Sequence, residues 1–237
     1  MNASISIFIT CNLILLLAAC ATNGKRQESA NTVRYEAFID KADKTYLSLK
    51  QTIENRLGDD TSFDRLLWVY PLSSFYKPHS QVQQDRSNQI RGYMQNNQFD
   101  DCITLAASVL EKNYSSLDAH YAMAWCARNA IEVSSVSPQD NETLASKSRF
   151  HSYVLNELIE AIWRTGDGRS AQTAFRINSS QDLFAFVQFH QLILQDQRLV
   201  YFENRPIQQI TVQTPENGSL SYWYFDVSPQ FRHGLMQ

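Results

Sequence analysis

Between residues 34 and 57 the hydrophobic residues recur with the period of an amphipathic helix, and this pattern ends at Gly58. The segment DDTSFDRLLWVYP, residues 59–71, then offers capping residues at its start and a proline at its end. The pattern therefore predicts one long helix followed by a second helix of about two turns.

The next hydrophobic positions predict a pair of helices that is similar to a tetratricopeptide unit. The small and aromatic positions of such a unit are matched by Phe99, Cys102, Ala106, Leu110 and Tyr114, and then by Ala119, Tyr121, Met123 and Ala124. One and a half repeats do not form a solenoid, because a solenoid buries its faces by stacking several units. We therefore expect a repeat-like helical layer.

The segment SSVSPQDNET, residues 134–143, predicts a turn-rich break. After it, hydrophobic residues from Leu144 to Trp163 follow a helical period, and Gly166 lies where a left-handed residue would end this helix. A long amphipathic helix is predicted here.

Beyond residue 170 the hydrophobic period changes from helical to alternating. QTAFRI predicts a short strand, and Ser179 or Ser180 caps a helix that carries Leu183, Phe184, Val187 and Phe189. Three alternating segments then predict an antiparallel sheet, with a PENG hairpin turn between the second and the third: LILQDQRLVYF, IQQITVQT and SLSYWYFDV. The predicted fold class is α+β, with a helical layer followed by a small C-terminal antiparallel sheet and one helix.

The predicted organisation is a single body over residues 34–237, mainly helical over 34–165 and strand-rich over 173–228. Only residues 134–143 resemble a linker, and they precede a helix and not the sheet. Two layers that share one core are therefore expected.

The N-terminus has the pattern of a secretion signal. Residues 5–19, ISIFITCNLILLLAA, form an apolar run that is short for a membrane span and ends in small residues before Cys20. The stretch LAAC resembles the lipobox of bacterial lipoproteins, which implies cleavage of residues 1–19 and lipidation of Cys20. A plain secretory peptide or a retained anchor is the alternative.

The residues after Cys20 fit the lipoprotein interpretation. Residues 20–33 are polar and small, as in a flexible tether. Enterobacterial lipoproteins with Asp after the lipidated cysteine stay in the inner membrane, whereas this chain has Ala21 and Thr22. The resemblance therefore implies an outer-membrane lipoprotein that faces the periplasm and contacts the membrane through its lipid.

Four cysteines occur in the chain. Cys11 would leave with the signal and Cys20 would carry lipid, so Cys102 and Cys126 would remain in an oxidising compartment. These two residues either form a disulfide or lie as free thiols inside the helical layer.

Charge and composition exclude one class of partner. The formal net charge is -3, and no clustered basic face is visible. Binding of nucleic acid is therefore not expected, because it needs such a face. The sequence also predicts no metal site and no cofactor, since it lacks the motifs that bind them.

The candidate catalytic residues are few. His120 lies near a helix start, and His151 lies on the apolar side of the long helix. Asp167 lies in TGDG between Gly166 and Gly168, where it is either a turn residue or a general base. The turn is the simpler interpretation, because no second carboxylate lies near in sequence.

Three segments together resemble the uncharacterised bacterial family called domain of unknown function 4919. They are LDAHYAMAWCARN, FHSYVLNELIEAIWRTGDGRSAQTAFRINSSQDLFAF and the strand WYFDV, and the resemblance spans roughly residues 60–232. The positions that match the family pattern are His120, His151, Leu155, Gly166, Asp167 and Gly168. The resemblance implies an α+β fold and no particular reaction.

Two functions are compatible with these patterns. The first is an envelope lipoprotein whose helical layer binds an envelope protein or a peptide, because no reactive cluster is visible. The second is an envelope hydrolase or small-ligand-binding protein that uses Asp167 with His151 or His120. The two differ in whether these three side chains converge on one cleft.

Overall fold

The computed structural model describes residues 34–133 and 138–232. The predicted signal peptide, Cys20 and the tether up to residue 33 lie outside the described residues, as do residues 134–137 of the predicted break. The predictions made for these segments are not addressed by the structure.

The described chain forms helices first and a sheet second, which confirms the α+β class. The first helix, α1, covers residues 34–54. The other helices are α2 (Asp60–Val69), α3 (Gln81–Gln95), α4 (Phe99–Leu110), α5 (Leu117–Val133), α6 (Pro138–Trp163), α7 (Ser180–Phe189) and α8 (Ser228–Arg232). The strands are β1 (Phe175–Arg176), β2 (Ile193–Phe202), β3 (Arg205–Gln213) and β4 (Leu220–Asp226).

The helices begin and end where local chemistry favours it. Asp59 caps α2 through a capping box with Ser62, and a 3₁₀ turn that contains Pro71 follows the helix. Ser179 caps α7, which decides between the two serines that the sequence left open. Short polar side chains next to hydrophobic runs therefore set these boundaries.

The long helix α6 begins earlier than predicted, which corrects the assignment of residues 138–143 to a break. Pro138 is its first residue. Proline is favoured at that position because its fixed φ is helical and its missing N–H would have no partner there. The polar residues after Pro138 form the exposed first turns of α6.

The helices α4 and α5 pack together, but a tetratricopeptide arrangement is not confirmed. Phe99, Cys102 and Ala106 are buried as that pattern predicts. Tyr121, which was expected inside, is 43% exposed. The hydrophobic period locates the buried face of the pair and does not fix the geometry of a repeat.

The sheet is mixed, with strand order β1-β4-β3-β2. Strands β2, β3 and β4 form the predicted antiparallel meander, whereas β1 pairs with β4 in parallel through Phe175–Phe225 and Arg176–Asp226. The predicted sheet is therefore extended by β1, whose parallel pairing makes it mixed and not wholly antiparallel. The chain reaches β4 from β1 only after α7 and two further strands, so no local pattern signals this pairing.

Helices and sheet share one cluster of buried side chains, with members such as Tyr46 in α1, Leu158 in α6 and Phe225 in β4. At the junction, Trp163 at the end of α6 stacks edge-on against Phe175, with 4.8 Å between ring centroids, and also contacts Trp223. This aromatic contact joins the helical layer to the sheet.

Candidate functional site

The TGDG segment is a hydrogen-bonded turn. The side chain of Asp167 accepts hydrogen bonds from the backbone N–H of Arg169, at 3.0 Å, and from the hydroxyl of Thr173. The Thr173 hydroxyl foremost, and then the Arg169 N–H, lower the pKa of Asp167. Both hydrogen bonds are made to Oδ1 from within residues 167–173, so the exposed carboxylate of Asp167 acts as a turn residue.

The two glycines of this turn serve a different purpose from the one predicted. The left-handed residue is Gly168, with φ 64°, and not Gly166. Gly166 is needed because a Cβ there would collide with the carbonyl oxygen of Thr173. The turn then continues into the sheet, where the N–H of Tyr224 donates to the carbonyl of Gly168 at 2.9 Å.

His120 and His151 lie in direct contact. His120 is fully buried in the first turns of α5, and its Nδ1 lies 2.9 Å from Nδ1 of His151 on α6. Nε2 of His120 lies 2.9 Å from the carbonyl oxygen of Tyr114. Two histidines 31 positions apart in sequence are thus brought together by the packing of α5 against α6.

The contacts fix where the protons of this pair are. A carbonyl only accepts, so Nε2 of His120 carries the hydrogen and its Nδ1 presents a lone pair. Nδ1 of His151 must then donate, which leaves the lone pair of neutral His151 on Nε2. The pair is a relay of two neutral imidazoles that ends on a backbone carbonyl.

Burial keeps both histidines neutral. It lowers the pKa of His120 to about 3, and the neighbouring His151 acts in the same direction. Burial, followed by the charge of Lys147, lowers the pKa of His151 to about 4. His151 also borders an open cavity of about 650 Å³ whose charged lining residues are Glu54, Arg56, Glu142 and Lys147.

Asp167 does not join the two histidines. His151 lies twelve residues before the last residue of α6, which is about 18 Å along the helix axis, and Asp167 follows beyond that end. The hydrogen bonds of Asp167 are made within its own turn. Of the three candidate residues, the structure brings together His120 and His151 alone.

Cys102 and Cys126 form a disulfide that joins α4 to α5, with 2.00 Å between the sulfur atoms. Both residues are fully buried. Of the two alternatives that the sequence left open, the structure has the bridge and not the two thiols.

A cleft lies between α3 and α7, and its first part is polar. This polar chamber has a volume of about 440 Å³. One wall is the face of α3 that carries Gln84, Ser87, Asn88 and Arg91, and the other is the face of α7 that carries Gln181 and Gln188. These side chains offer donors and acceptors in amide, hydroxyl and guanidinium form.

The second part of the cleft is apolar. This apolar chamber has a volume of about 280 Å³ and is lined mainly by Leu117 and Tyr121 of α5, Leu155 and Ile159 of α6, and Phe189 of α7. Tyr121 and Phe189 are 43% and 44% exposed, so two aromatic rings lie at its mouth without being covered. The two chambers share Asp118, Ala185 and Gln188 and therefore adjoin.

Asp118, at the start of α5, lies where the two chambers meet. Burial raises the pKa of its carboxyl group, while the Ser87 hydroxyl and the charge of Arg91 act against that rise. A partly buried carboxylate therefore faces the cleft from its floor.

Asp182 supports this floor from behind. Its buried carboxylate accepts hydrogen bonds from the backbone N–H of Leu117, at 3.0 Å, and from the hydroxyl of Ser179, at 2.6 Å. It therefore fixes the start of α5 to the start of α7. Burial raises the pKa of Asp182 to about 6, against the effect of both hydrogen bonds.

The sequence interpretation did not identify this cleft. Neither Asp118 nor any residue of α3 was among the candidate site residues. One signal was present in the sequence, because the segment QVQQDRSNQIRGYMQ that forms α3 is mostly polar. A helix that is polar on most of its surface leaves a polar face uncovered by the core, and this face can contact solvent or a ligand.

Two further findings bear on the predicted sites. Within residues 34–133 and 138–232, no group of three or more His, Cys, Asp or Glu side chains could hold a metal ion. Over the same residues, no helix combines the length and apolar character that crossing a membrane requires.

The fold and the site define a class: an α+β protein with a shared helix–sheet core and a two-part cleft between helices. The model of the family Domain of unknown function (DUF4919) matches residues 51–234, and the chain belongs to this family. The match includes the cleft, the histidine pair and the TGDG turn. Searches of curated proteins and of solved structures gave no match.

Proposed function

We propose that this protein is a lipid-anchored lipoprotein of the bacterial envelope, held in the outer membrane through Cys20 and facing the periplasm. The LAAC stretch and the polar residues 20–33 support the anchor. The disulfide Cys102–Cys126 supports an oxidising compartment, since such bonds persist there and are rare in the cytosol.

The body of the protein acts in this proposal as an interaction module for a peptide or a peptide segment of another envelope protein. The observation that carries the proposal is the cleft, in which a polar chamber adjoins an apolar chamber. Small-molecule and peptide sites combine apolar surface with a few polar groups that fix orientation. A peptide offers the same combination, with a polar backbone and an apolar side chain.

A peptide-binding measurement with a matched pair of variants tests this proposal. Tyr121→Ser alters the mouth of the apolar chamber, whereas Tyr201→Ser changes an exposed tyrosine of β2 that lies outside the cleft. The full-length protein is screened against a random peptide library, and the selected peptides are measured by fluorescence anisotropy. We expect Tyr121→Ser to weaken binding at least tenfold and Tyr201→Ser to leave it unchanged. Equal affinities, or no selected peptide, would refute the proposal.

The lipid anchor has its own test. Cys20→Ala should abolish acylation and release the protein from the membrane fraction into the soluble periplasmic fraction. Mass spectrometry and membrane fractionation measure the two effects. An unchanged mass and unchanged partitioning would exclude lipidation at Cys20.

An envelope hydrolase or small-ligand-binding protein is the alternative function. It would use the pair of His120 and His151, since Asp167 lies beyond the end of α6 and makes its hydrogen bonds within its own turn. The observation in its favour is the histidine pair, whose outer member presents a lone pair beside an open cavity. Hydrolysis of ester, peptide or glycan substrates that is lost in His151→Gln would support this alternative. Asp167→Ala is the matched control, and it should leave this turnover unchanged.

A further inference from the structure

Two opposite charges face the polar chamber without forming a salt bridge. Asp118 enters from the start of α5 and Arg91 from α3. In the part of the chain that the structure describes, the ion pairs within 4 Å include neither residue. A partly buried carboxylate next to a separate guanidinium is a site for a ligand with a cationic and an acceptor group near each other.

The two charges differ in their relation to the apolar chamber. Asp118 borders both chambers, whereas Arg91 borders only the polar one. A cationic group on Asp118 would therefore lie directly beside an apolar side chain, and an acceptor on Arg91 would lie further along the polar chamber. This order of groups is that of an α-amino acid residue: side chain next to ammonium, and then carbonyl oxygen.

We propose that the junction of the two chambers binds the N-terminal residue of a peptide, with its α-ammonium on Asp118, its carbonyl oxygen on Arg91 and an apolar side chain in the apolar chamber. The inference rests on the proposed peptide-binding function and names its ligand class. The rest of the peptide leaves along the polar chamber, where Asn88, Gln181 and Gln188 pair with backbone N–H and C=O groups.

The apolar chamber sets the specificity of this site. A volume of about 280 Å³ holds one large aliphatic or aromatic side chain. An acidic side chain would lose its hydration among Leu117, Leu155 and Ile159 and would also be repelled by the carboxylate of Asp118. Peptides that begin with leucine or phenylalanine are therefore preferred over peptides that begin with glutamate.

Isothermal titration calorimetry on the full-length protein tests the inference with synthetic peptides. The probes are Leu-Ala-Ala, the same peptide with an acetylated N-terminus, Glu-Ala-Ala, and free leucine. Loss of a charge-assisted hydrogen bond weakens binding by roughly ten- to a hundredfold. We expect a loss of this size on acetylation and on the change from leucine to glutamate, and weaker binding of free leucine, which lacks the following peptide.

A pair of variants assigns the ammonium to its partner. Asp118→Asn should remove the preference for the free over the acetylated peptide. Asp196→Asn, at an exposed acid of β2, should keep it. Circular dichroism checks that both variants are folded, and the acetylation comparison in the unaltered protein stands without them.

Each contrary outcome has a distinct meaning. Equal binding of free and acetylated peptides that still depends on Tyr121 would overturn the N-terminal assignment and leave the proposed function intact. Free leucine that binds as tightly as Leu-Ala-Ala would replace the peptide by a free amino acid and overturn the inference. If none of these probes binds while library-selected peptides do, the N-terminal assignment fails; if no peptide of either kind binds, both proposals fail.

Discussion

At the scale of single residues, Gly168 shows how closely the TGDG turn is built against the sheet. Its φ of 64° is a conformation that L side chains rarely adopt, and a Cβ at this position would overlap the ring of Phe175. Phe175 in turn contacts Trp163, Phe186 and Phe225. The absence of a side chain at Gly168 therefore lets Phe175 pack in the aromatic junction between helices and sheet.

Gly168→Ala should destabilise the protein by about 2–4 kcal/mol, because backbone strain and overpacking against Phe175 add together. Gly92→Ala is the matched control. Gly92 lies inside α3, and an alanine methyl group there would meet no atom within 4 Å. Alanine at this position should therefore stabilise the helix by about 0.5–1 kcal/mol. Urea denaturation followed by circular dichroism measures both. A Gly168→Ala variant with the wild-type midpoint would contradict this role.

The histidine pair makes stability depend on pH in a defined direction. In the unfolded chain both residues titrate near pH 6.5, whereas in the folded protein their pKa values are lowered to about 3 and about 4. Between about pH 6.5 and about pH 3 the unfolded chain therefore binds more protons. The two neutral histidines make their full contribution to the free energy of unfolding above pH 6.5. This contribution decreases as the pH falls through that window.

His151→Gln should reduce this loss of stability on acidification. The glutamine amide can still donate to Nδ1 of His120, but one of the two titrating groups is gone. Urea denaturation at pH 7.5 and at pH 5 measures the loss in the variant and in the wild type, and the pH 7.5 values give the cost of the substitution itself. Asp182 titrates in both proteins and cancels in the comparison. An equal pH-dependent loss in both would show that His151 is not responsible.

At the scale of secondary-structure elements, α3 differs from the other helices because it contributes little to the core. Only Ile90 of α3 is buried, whereas α4 and α6 each bury six side chains. Tyr93 and Met94 are partly buried against the core, and the face that carries Gln84, Ser87, Asn88 and Arg91 forms one wall of the cleft. A helix with so little burial is held by few contacts and leaves its polar face available to a ligand.

The disulfide acts on the pair α4 and α5, whose joined cysteines lie 24 positions apart. Replacing both cysteines by alanine should destabilise the protein by about 2–4 kcal/mol, because the unfolded chain regains the freedom that the bridge removes. Denaturation with and without dithiothreitol measures the effect. The reductant should destabilise the wild type and leave the double variant unchanged. The dithiothreitol must be present while the chain is unfolded, so that it reaches the buried sulfur atoms. A wild-type denaturation midpoint that dithiothreitol does not change would then contradict the disulfide.

At the scale of the whole molecule, the buried side chains of helices and sheet form one cluster. Unfolding should therefore be a single cooperative transition. Far-UV circular dichroism follows the helices, and tryptophan fluorescence follows the junction around Trp163 and Trp223. Coincident urea transitions by the two probes are expected. Two separated midpoints would show that the helical part and the sheet unfold independently.

Much of the fold was predictable because its signals are local. The capping residues before α2 and α7, the stop near Pro71, the meander of three strands and the PENG turn all follow from side chains within a few positions of one another. The errors occurred where the neighbouring sequence misled. The polar composition of residues 138–143 is typical of a loop, yet Pro138 begins a helix there.

The candidate sites were less predictable because each depends on packing. His120 was singled out, but nothing in its own segment shows that α6 brings His151 to it. Asp167 was singled out for its glycine neighbours, and the structure uses it within its own turn. The cleft was missed because its walls come from helices far apart in the chain, one of them notable only for being polar.

The sequence by itself determined the α+β class, the order of most elements and the family, but it did not predict α3 and α8. Hydrophobic periodicity and helix capping depend on residues a few positions apart, so a short stretch of sequence contains both signals. The tertiary structure alone decided the contact between two histidines, the parallel pairing of β1 with β4, and the meeting of Arg91, Asp118 and α7 around one cleft. A periodic pattern states that a face is buried, but the partner that covers it is chosen by the packing of the whole chain.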